Sequence, residues 1–356
     1  MGYKHGLTPS CMKPKVSICM CLRNDNYGGD QYSRFECFIR YYGFLCKKYK
    51  DLFEFVICDY NSPNEATILE LALPWNLLSP LKVVIVNEKT HGNFSNGKGR
   101  PILDYLGRNI AVRHASSSFV AILNQDIYIS ESIASVFHKG FLNKKYFYRA
   151  DRWDFPFEGL STMDSALMEQ HARQKTNTLH RRHDRNRLPI STQVIPGQEN
   201  EITSLPLVGE VVDHENCIFQ GRPSSWKDRF LQRMTGRVDF EFLGLHTNAG
   251  GDFIVASKAA WEKIHGACET TEFYMHLDSY LLAQLHGAGL RQAIFAYPHQ
   301  VFHADHDRSA RLLFREKIPY EVHKKRLCDI ALGVSTYRLN SPDWGMKNEN
   351  LEVIQL

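Results

Sequence analysis

The apolar positions of this chain come in short unbroken runs, separated by stretches rich in Asn, Asp and Gly. Val16 to Leu22 (VSICMCL) is the first, bounded by Pro14 before it and by the polar segment Arg23 to Gly29 after it. Leu52 to Cys58, Val83 to Val86 and Ser118 to Leu123 follow. Short apolar runs between turn signals suit strands buried on both faces. Between the first two, helical spacing puts Phe35, Phe38, Ile39 and Phe44 on one face of a helix over Tyr32 to Tyr49. A short helix is expected over Ala66 to Leu73, a loop over His91 to Arg100 and a helix over Ile102 to His114. Strands alternating with helices predict an α/β fold, with a mostly parallel central sheet flanked by helices.

In such a sheet the loops after the strands gather at one edge, where ligands bind. Asn24, Asp59 with Asn61, and Asn124 with Asp126 each follow a predicted strand and should meet there. The pattern then weakens. Tyr146 to Pro156 alternates aromatic and charged residues, Met163 to Arg187 is polar and basic, and Ile190 to Phe240 carries scattered Pro and Gly. A long irregular stretch of this kind is more often functional than core. Regularity returns with a strand over Gly250 to Ala256, a helix over Lys258 to His265 capped by Ser257, a helix over Leu277 to Ala288 and a strand over Arg291 to Ala296. A polar cluster, His299 to Asp307, comes next. Ala310 to Arg326 is helix-compatible only up to Pro319, and the tail from Asn340 reads as irregular. The chain thus divides into 14–130, a variable central region over 131–245, a second regular part over 246–310 and a helical and irregular C-terminal segment over 311–356.

The 356 residues suffice for one large or two closely packed domains. A net charge of +4 is too small to argue for nucleic acid, and the basic stretch Arg181 to Arg187 belongs to no recognisable reading module, so no specific nucleic-acid partner is expected. No apolar run reaches the roughly 18–20 residues that cross a bilayer, and Met1 to Lys15 lacks the apolar core of a signal peptide. The expectation is a cytoplasmic protein, with peripheral contact at a membrane surface left open. Nine cysteines are an odd number, and the apolar neighbours of Cys19, Cys21, Cys37 and Cys58 favour buried thiols over a disulfide framework. Gly-x-Gly-x-x-Gly after the first strand, a Gly-x-x-x-x-Gly-Lys-Ser/Thr loop and His-Glu-x-x-His are all absent, which disfavours a classical NAD enzyme, a P-loop NTPase and a zincin-type hydrolase.

Asp126 is the strongest candidate, because a carboxylate inside an apolar run is costly unless paired or metal-bound. Carboxylates hold Mg²⁺ or Mn²⁺, and imidazole suits Mn²⁺ better. His303, in the cluster that continues to His306 and Asp307, is therefore a second metal candidate. Asp278, at a helix start, suits a general base drawing a proton from a hydroxyl, or simply favours the helix N-terminus. Asp59, Asn24 and Asn61 suit a nucleoside or hold turns. Arg108 and Arg113 suit a phosphate or are solvated.

Taken in order, these segments resemble the family 2 glycosyltransferases with the GT-A fold. VSICMCLRNDN is similar to the family's first strand and loop, and FEFVICDYNSP to its second strand. RNIAVRHASSSFVAILNQDIYIS resembles the stretch from the Arg-Asn helix to the metal-binding strand end, NAGGDFIVASKAAWEKIHGACE the acceptor-side strand and helix, and HLDSYLLAQLHGAGLR the Glu-Asp helix start. The resemblance covers about residues 14 to 130 and 245 to 305. It implies a nucleotide-diphospho-sugar transferase fold, with the nucleotide sugar held in 14–130 and the acceptor and catalytic groups in 246–310. Donor-binding residues would be Asn24, Asp59, Asn61, Arg108, Asn124 and Asp126; metal ligands would be Asp126 and His303; the base would be Asp278. Two departures stand out. The family's Asp-x-Asp is Asn124, Gln125, Asp126 here, and Leu277 replaces the Glu of the Glu-Asp pair.

The resulting expectation is a hexosyl- or pentosyltransferase. Assisted by Mn²⁺ or Mg²⁺, it would move a sugar from a UDP- or GDP-sugar to a hydroxyl of a glycan or other acceptor, with inversion. The alternatives are a nucleotidyltransferase and a non-catalytic carbohydrate-binding protein on a degenerate scaffold of the same fold. Donor, acceptor and oligomeric state are not encoded in any motif found.

Overall fold

The computed structural model describes residues 14–95, 99–158, 164–180, 191–193, 210–213, 218–220, 226–236, 245–247, 249–273, 275–295, 297–306 and 318–356. Its strands are β1 (Val16–Leu22), β2 (Phe53–Tyr60), β3 (Leu81–Val86), β4 (Phe119–Leu123), β5 (Ile127–Ile129), β6 (Tyr146–Ala150), β7 (Arg152–Pro156), β8 (Thr178–His180), β9 (Ser191–Gln193), β10 (Glu210–Asp213), β11 (Ile218–Gln220), β12 (Phe253–Ser257), β13 (Arg291–Phe295), β14 (Val301–Asp305) and β15 (Glu352–Gln355). The helices are α1 (Gln31–Lys48), α2 (Glu88–Ser95), α3 (Asp104–His114), α4 (Glu131–Lys139), α5 (Met168–Lys175), α6 (Trp226–Thr235), α7 (Lys258–Ile264), α8 (Leu277–Gly287) and α9 (Tyr320–Ala331).

The protein is a mixed α/β structure with a large central sheet flanked by helices. Ten described strands form that sheet in the order β10-β11-β13-β6-β12-β4-β1-β2-β3-β15. The block β3-β2-β1-β4 is parallel, β12 runs antiparallel between β4 and β6, and β13 is parallel to β6. The central run is apolar without alternation because both faces are covered. Val16, Ile18, Met20 and Leu22 point to the side packed by Phe38 and Tyr42 of α1 and Ile133 of α4. Cys19 points to the other side, against Ile110 of α3, Trp261 of α7 and Leu281 of α8. Gly107 lets α3 lie directly on β1, since a Cβ there would collide with Cys21 Sγ. A second sheet, β5-β14-β7-β8-β9, abuts the first.

Several local expectations change. Ala66 to Leu73 holds one short 3₁₀ turn, Ile68–Glu70, rather than an α-helix, and α2 occupies part of the predicted loop after His91. Tyr146 to Pro156 splits into two strands of different sheets, and the polar cluster after His299 contains β14. Pro319 is the N-cap of α9, which agrees with its fixed φ, and the helix expected before it, over 310–317, lies outside the described residues. Residues 307–317, with Asp307, lie outside the described residues, as do Arg181 to Arg187. Among the described residues seven cysteines are free, and no helix is long and apolar enough to cross a membrane.

The tail is tied down rather than loose. β15 adds antiparallel to β3. Arg113 stacks 4.2 Å over the Trp344 ring and donates to Pro342 O at 2.9 Å, so its guanidinium holds the tail and not a phosphate. Gly345 N and Asn109 Nδ2 both donate to Glu269 Oε1 at 2.7 Å. Burial raises the Glu269 carboxyl; these hydrogen bonds and Arg113 pull it back only in part, leaving it at about 7. The folded state therefore holds a proton that the unfolded chain releases above its ordinary value near 4.3. Stability from this group is complete below that value and is lost as pH rises toward 7. Thermal melts should show the wild type losing stability between about pH 5 and pH 8, and Glu269→Gln removing about 1–3 kcal/mol of that loss. Parallel pH profiles for the two proteins would contradict the assignment.

Candidate active site

Three times the chain leaves the large sheet for the small one at the same place. It passes through Asn124, Gln125 and Asp126 between β4 and β5, through Asp151 between β6 and β7, and from β13 to β14. This junction lies beyond the carboxyl ends of parallel strands, the position where open α/β sheets bind ligands.

Strand register then decides which side chains meet. His303 on β14 pairs with Ile127 on one side and with Asp154 on the other. Paired residues on neighbouring strands share a face, as do residues two apart on one strand. Asp154, Arg152, His180 and His303 therefore form one polar patch. His303 Nδ1 lies 3.4 Å from Asp154 Oδ1, and His303 Nε2 lies 3.9 Å from Asp126 Oδ1. His306 Nε2 is 3.1 Å from Asp126 Oδ2, and Arg34 Nη1 donates to that same oxygen at 2.8 Å. Arg34 rises from the buried face of α1 and also donates to Tyr27 O and Gly29 O, fixing the loop after β1.

Asp126 is buried, which raises its carboxyl. The His306 hydrogen bond and the charges of His303, His306 and Arg34 outweigh burial and hold it well below the usual carboxylate range. Asp154 is held low in the same way: burial opposes, while His180, His303 and Arg152 prevail. Arg152 is the hub. Its Nε reaches Asp154 Oδ1 at 2.7 Å and its Nη1 pairs with Asp252 Oδ2. Asp252 in turn accepts from Asn124 Nδ2 at 2.6 Å.

Asp252 belongs to the Gly250–Asp252 turn, which also underlies Asp278. A Cβ at Gly250 would come within 2.9 Å of Asp278 Oδ2, so glycine makes the space that the carboxylate fills. Arg149 holds the turn from below, donating to Gly250 O at 3.1 Å and Ala249 O at 2.9 Å. Asp278 lies in the first turn of α8, half-buried, with Oδ1 accepting from Ser279 N at 2.8 Å.

The other predicted residues gather beside this group. Arg108 donates to Asn124 Oδ1 and Gly251 O, and pairs with Asp104 at 2.9 Å, so it buttresses Asn124 and the glycine turn. Asn24, Asp59 and Asn61 shape the neighbouring loops after β1 and β2. Asp59 accepts from Ser62 Oγ and from Ile68 N at 2.8 Å. Asn24 Nδ2 donates to Ala66 O at 3.2 Å, and Asn61 Nδ2 to Pro101 O at 2.7 Å. The link to Asp126 runs through α1: Gln31 Nε2 bonds Arg23 O at 3.0 Å and Gln125 Oε1 at 3.2 Å, and Arg34 completes it.

The residues present fit a divalent cation. One nitrogen from each of His303 and His306 and a carboxylate oxygen of Asp126 lie within 4.8 Å of one another. Asp126 Oδ1 is buried and accepts no hydrogen bond among the described residues. With Nδ1 of His303 turned to Asp154, Nε2 is the ring atom on the Asp126 side, as in carboxylate–histidine–metal arrangements. Two imidazoles and one carboxylate favour Mn²⁺ over Mg²⁺.

The site contains groups that sequence reasoning passed over. Arg34 had a readable signal: it lies in the same helical stripe as Phe35 and Phe38, and a cation on a buried face needs a buried acid. Arg152 and Asp154, two apart in a strand, were also legible as a pair. Asp252 and the approach of His306 to Asp126 carried no local signal. No protein-family model and no curated protein matches this sequence. Among solved structures, the chain is similar to the crystal structure of S. aureus TarS 1-349, at a TM-score of 0.39 and 13% sequence identity, over 90% of this chain and 71% of that one.

Proposed function

We propose that this protein is a GT-A-type glycosyltransferase that moves a sugar from a nucleoside-diphosphate sugar to an acceptor hydroxyl, with inversion. The observation that carries this reading is the unsatisfied Asp126 oxygen facing His303 and His306, at the same sheet edge where Asp278 rests on the glycine turn. Asp126, His303 and His306 would hold a Mn²⁺ ion, which when bound offsets the charge of a diphosphate leaving group. Arg34 keeps the Asp126 carboxylate ionised and fixed in place. Arg108 and Asn124 hold the glycine turn against the metal-side residues, so donor and acceptor groups are presented at a set separation. Asn24, Asp59 and Asn61 would build the nucleoside-binding loops; Asp59 retains acceptor capacity for a base or ribose donor, since each carboxylate oxygen accepts two bonds. Asp278 would take the proton from the acceptor hydroxyl as it attacks the anomeric carbon.

A screen of UDP- and GDP-sugars with Mn²⁺ by thermal stabilisation, followed by product analysis, tests the reading. Release of nucleoside diphosphate supports it; release of pyrophosphate points to nucleotidyl transfer instead. Asp278→Asn should lower kcat about 10²–10⁴-fold while leaving Mn²⁺ binding and melting temperature unchanged. Gly250→Ala, which crowds the same carboxylate, should lower kcat more than it raises KM. An Asp278→Asn enzyme at full rate would remove the base assignment.

One observation favours a second reading. The guanidinium of Arg34 already neutralises Asp126, as in a scaffold that has given up its metal. Binding of a nucleotide sugar that EDTA leaves unchanged, without turnover, would select a carbohydrate-binding protein.

A further inference from the structure

Helix α6 is built inside out. Its polar Gln232 is 2% exposed and donates to Asp329 Oδ1 of α9 at 2.7 Å, while Trp226, Phe230, Leu231 and Met234 are 68%, 60%, 52% and 69% exposed. At about 100° per residue, these four side chains span an arc of about 140° centred opposite Gln232. The apolar face therefore points away from the protein, and nothing among the described residues covers it. Lys227 lies within this arc, Arg233 at its edge and Arg229 on the flank between it and Gln232, against the single acid Asp228. The antiparallel neighbour α9, held by Gln232 to Asp329 and with Lys325 against Gly236, adds exposed Val322 beyond the end of α6.

We propose that this face of α6 docks on a lipid surface bearing anionic headgroups. An exposed Trp, Phe, Leu and Met face rimmed by Lys and Arg suits the boundary between headgroups and acyl chains, with the cations at the phosphate level. Charge complementarity argues against a cationic partner and favours an anionic one. The area argues against a second copy of the chain. Ten residues of helix are about 15 Å long, and four side chains fall well short of the roughly 800 Å² per partner that a stable protein interface buries. Interfacial binding to lipid scales with whatever apolar area and charge are available. The proposal stands independently of the transferase reading, since none of these residues belongs to the site.

The test is sedimentation of the full chain with phosphatidylglycerol vesicles and with phosphatidylcholine vesicles, together with its intrinsic tryptophan emission. Trp226 is the one strongly exposed tryptophan among the five, so its insertion should shift the emission to shorter wavelength in the wild type without any variant. Binding to phosphatidylglycerol should exceed binding to phosphatidylcholine by at least about tenfold and weaken with salt. W226Q/F230Q should lose about tenfold or more in affinity, as should R229E/R233E, whose changes touch no buried side chain. Absence of wild-type binding, equal binding to both vesicles, or binding that both variants leave intact would overturn the proposal. So would a wild-type dimer that W226Q/F230Q converts to monomer without any vesicle binding.

Discussion

Asp126→Asn should abolish most of the proposed transfer activity, lowering nucleoside diphosphate release about 10²–10³-fold, and should weaken Mn²⁺ binding in calorimetry by about tenfold or more. The substitution removes a negative charge from the one position where two imidazoles and a free carboxylate oxygen converge. It also leaves Arg34 buried without its counter-charge, and breaking a buried pair costs about 3–5 kcal/mol when one partner is left behind. Activity and stability must therefore be separated. Arg34→Met combined with Asp126→Asn should regain much of the lost melting temperature, because no lone charge remains, and should regain none of the activity. Restored turnover in the double variant would mean that Asp126 serves the fold alone.

The largest loss of stability is expected at Arg152. It bridges Asp154 and Asp252, and through them ties His303 to the Asn124 side of the junction. Arg152→Met strands two buried carboxylates and should cost about 3–5 kcal/mol in denaturant unfolding. The pH dependence follows from the sign of the shifts. Asp154 and Asp252 are both held low in the folded protein: burial opposes, and Arg152 with the neighbouring histidines prevails. Depressed carboxyls stabilise the fold above their unfolded value of about 3.9, and that contribution fades as pH falls toward the folded values. Without Arg152 the carboxyls titrate higher, so the penalty of the variant should shrink below about pH 4, where they are protonated in both states. A constant penalty across the acid range would show that Arg152 acts through packing instead.

The alternation of apolar runs and helical stripes determined, on its own, the strands β1 to β4, their covering by helices on both faces and the edge at which Asn24, Asp59 and Asp126 emerge; their order and the antiparallel pairings that flank this parallel block were not encoded there. These follow from local periodicity, which depends only on neighbouring residues. Ser257 was likewise legible as a cap, and it accepts from Ala260 N. What tertiary structure alone decided is the pairing at the site. Asp126 looked like the end of a strand, yet it is the crossing between two sheets. His303 faces it because β14 is inserted between β5 and β7 in one particular register, and a shift of one residue would turn the imidazole to the opposite face. The same holds for Gly250 and Asp278, far apart in sequence, whose close approach depends on the missing Cβ. Register and close approach are set by contacts between distant segments, and no local pattern encodes them.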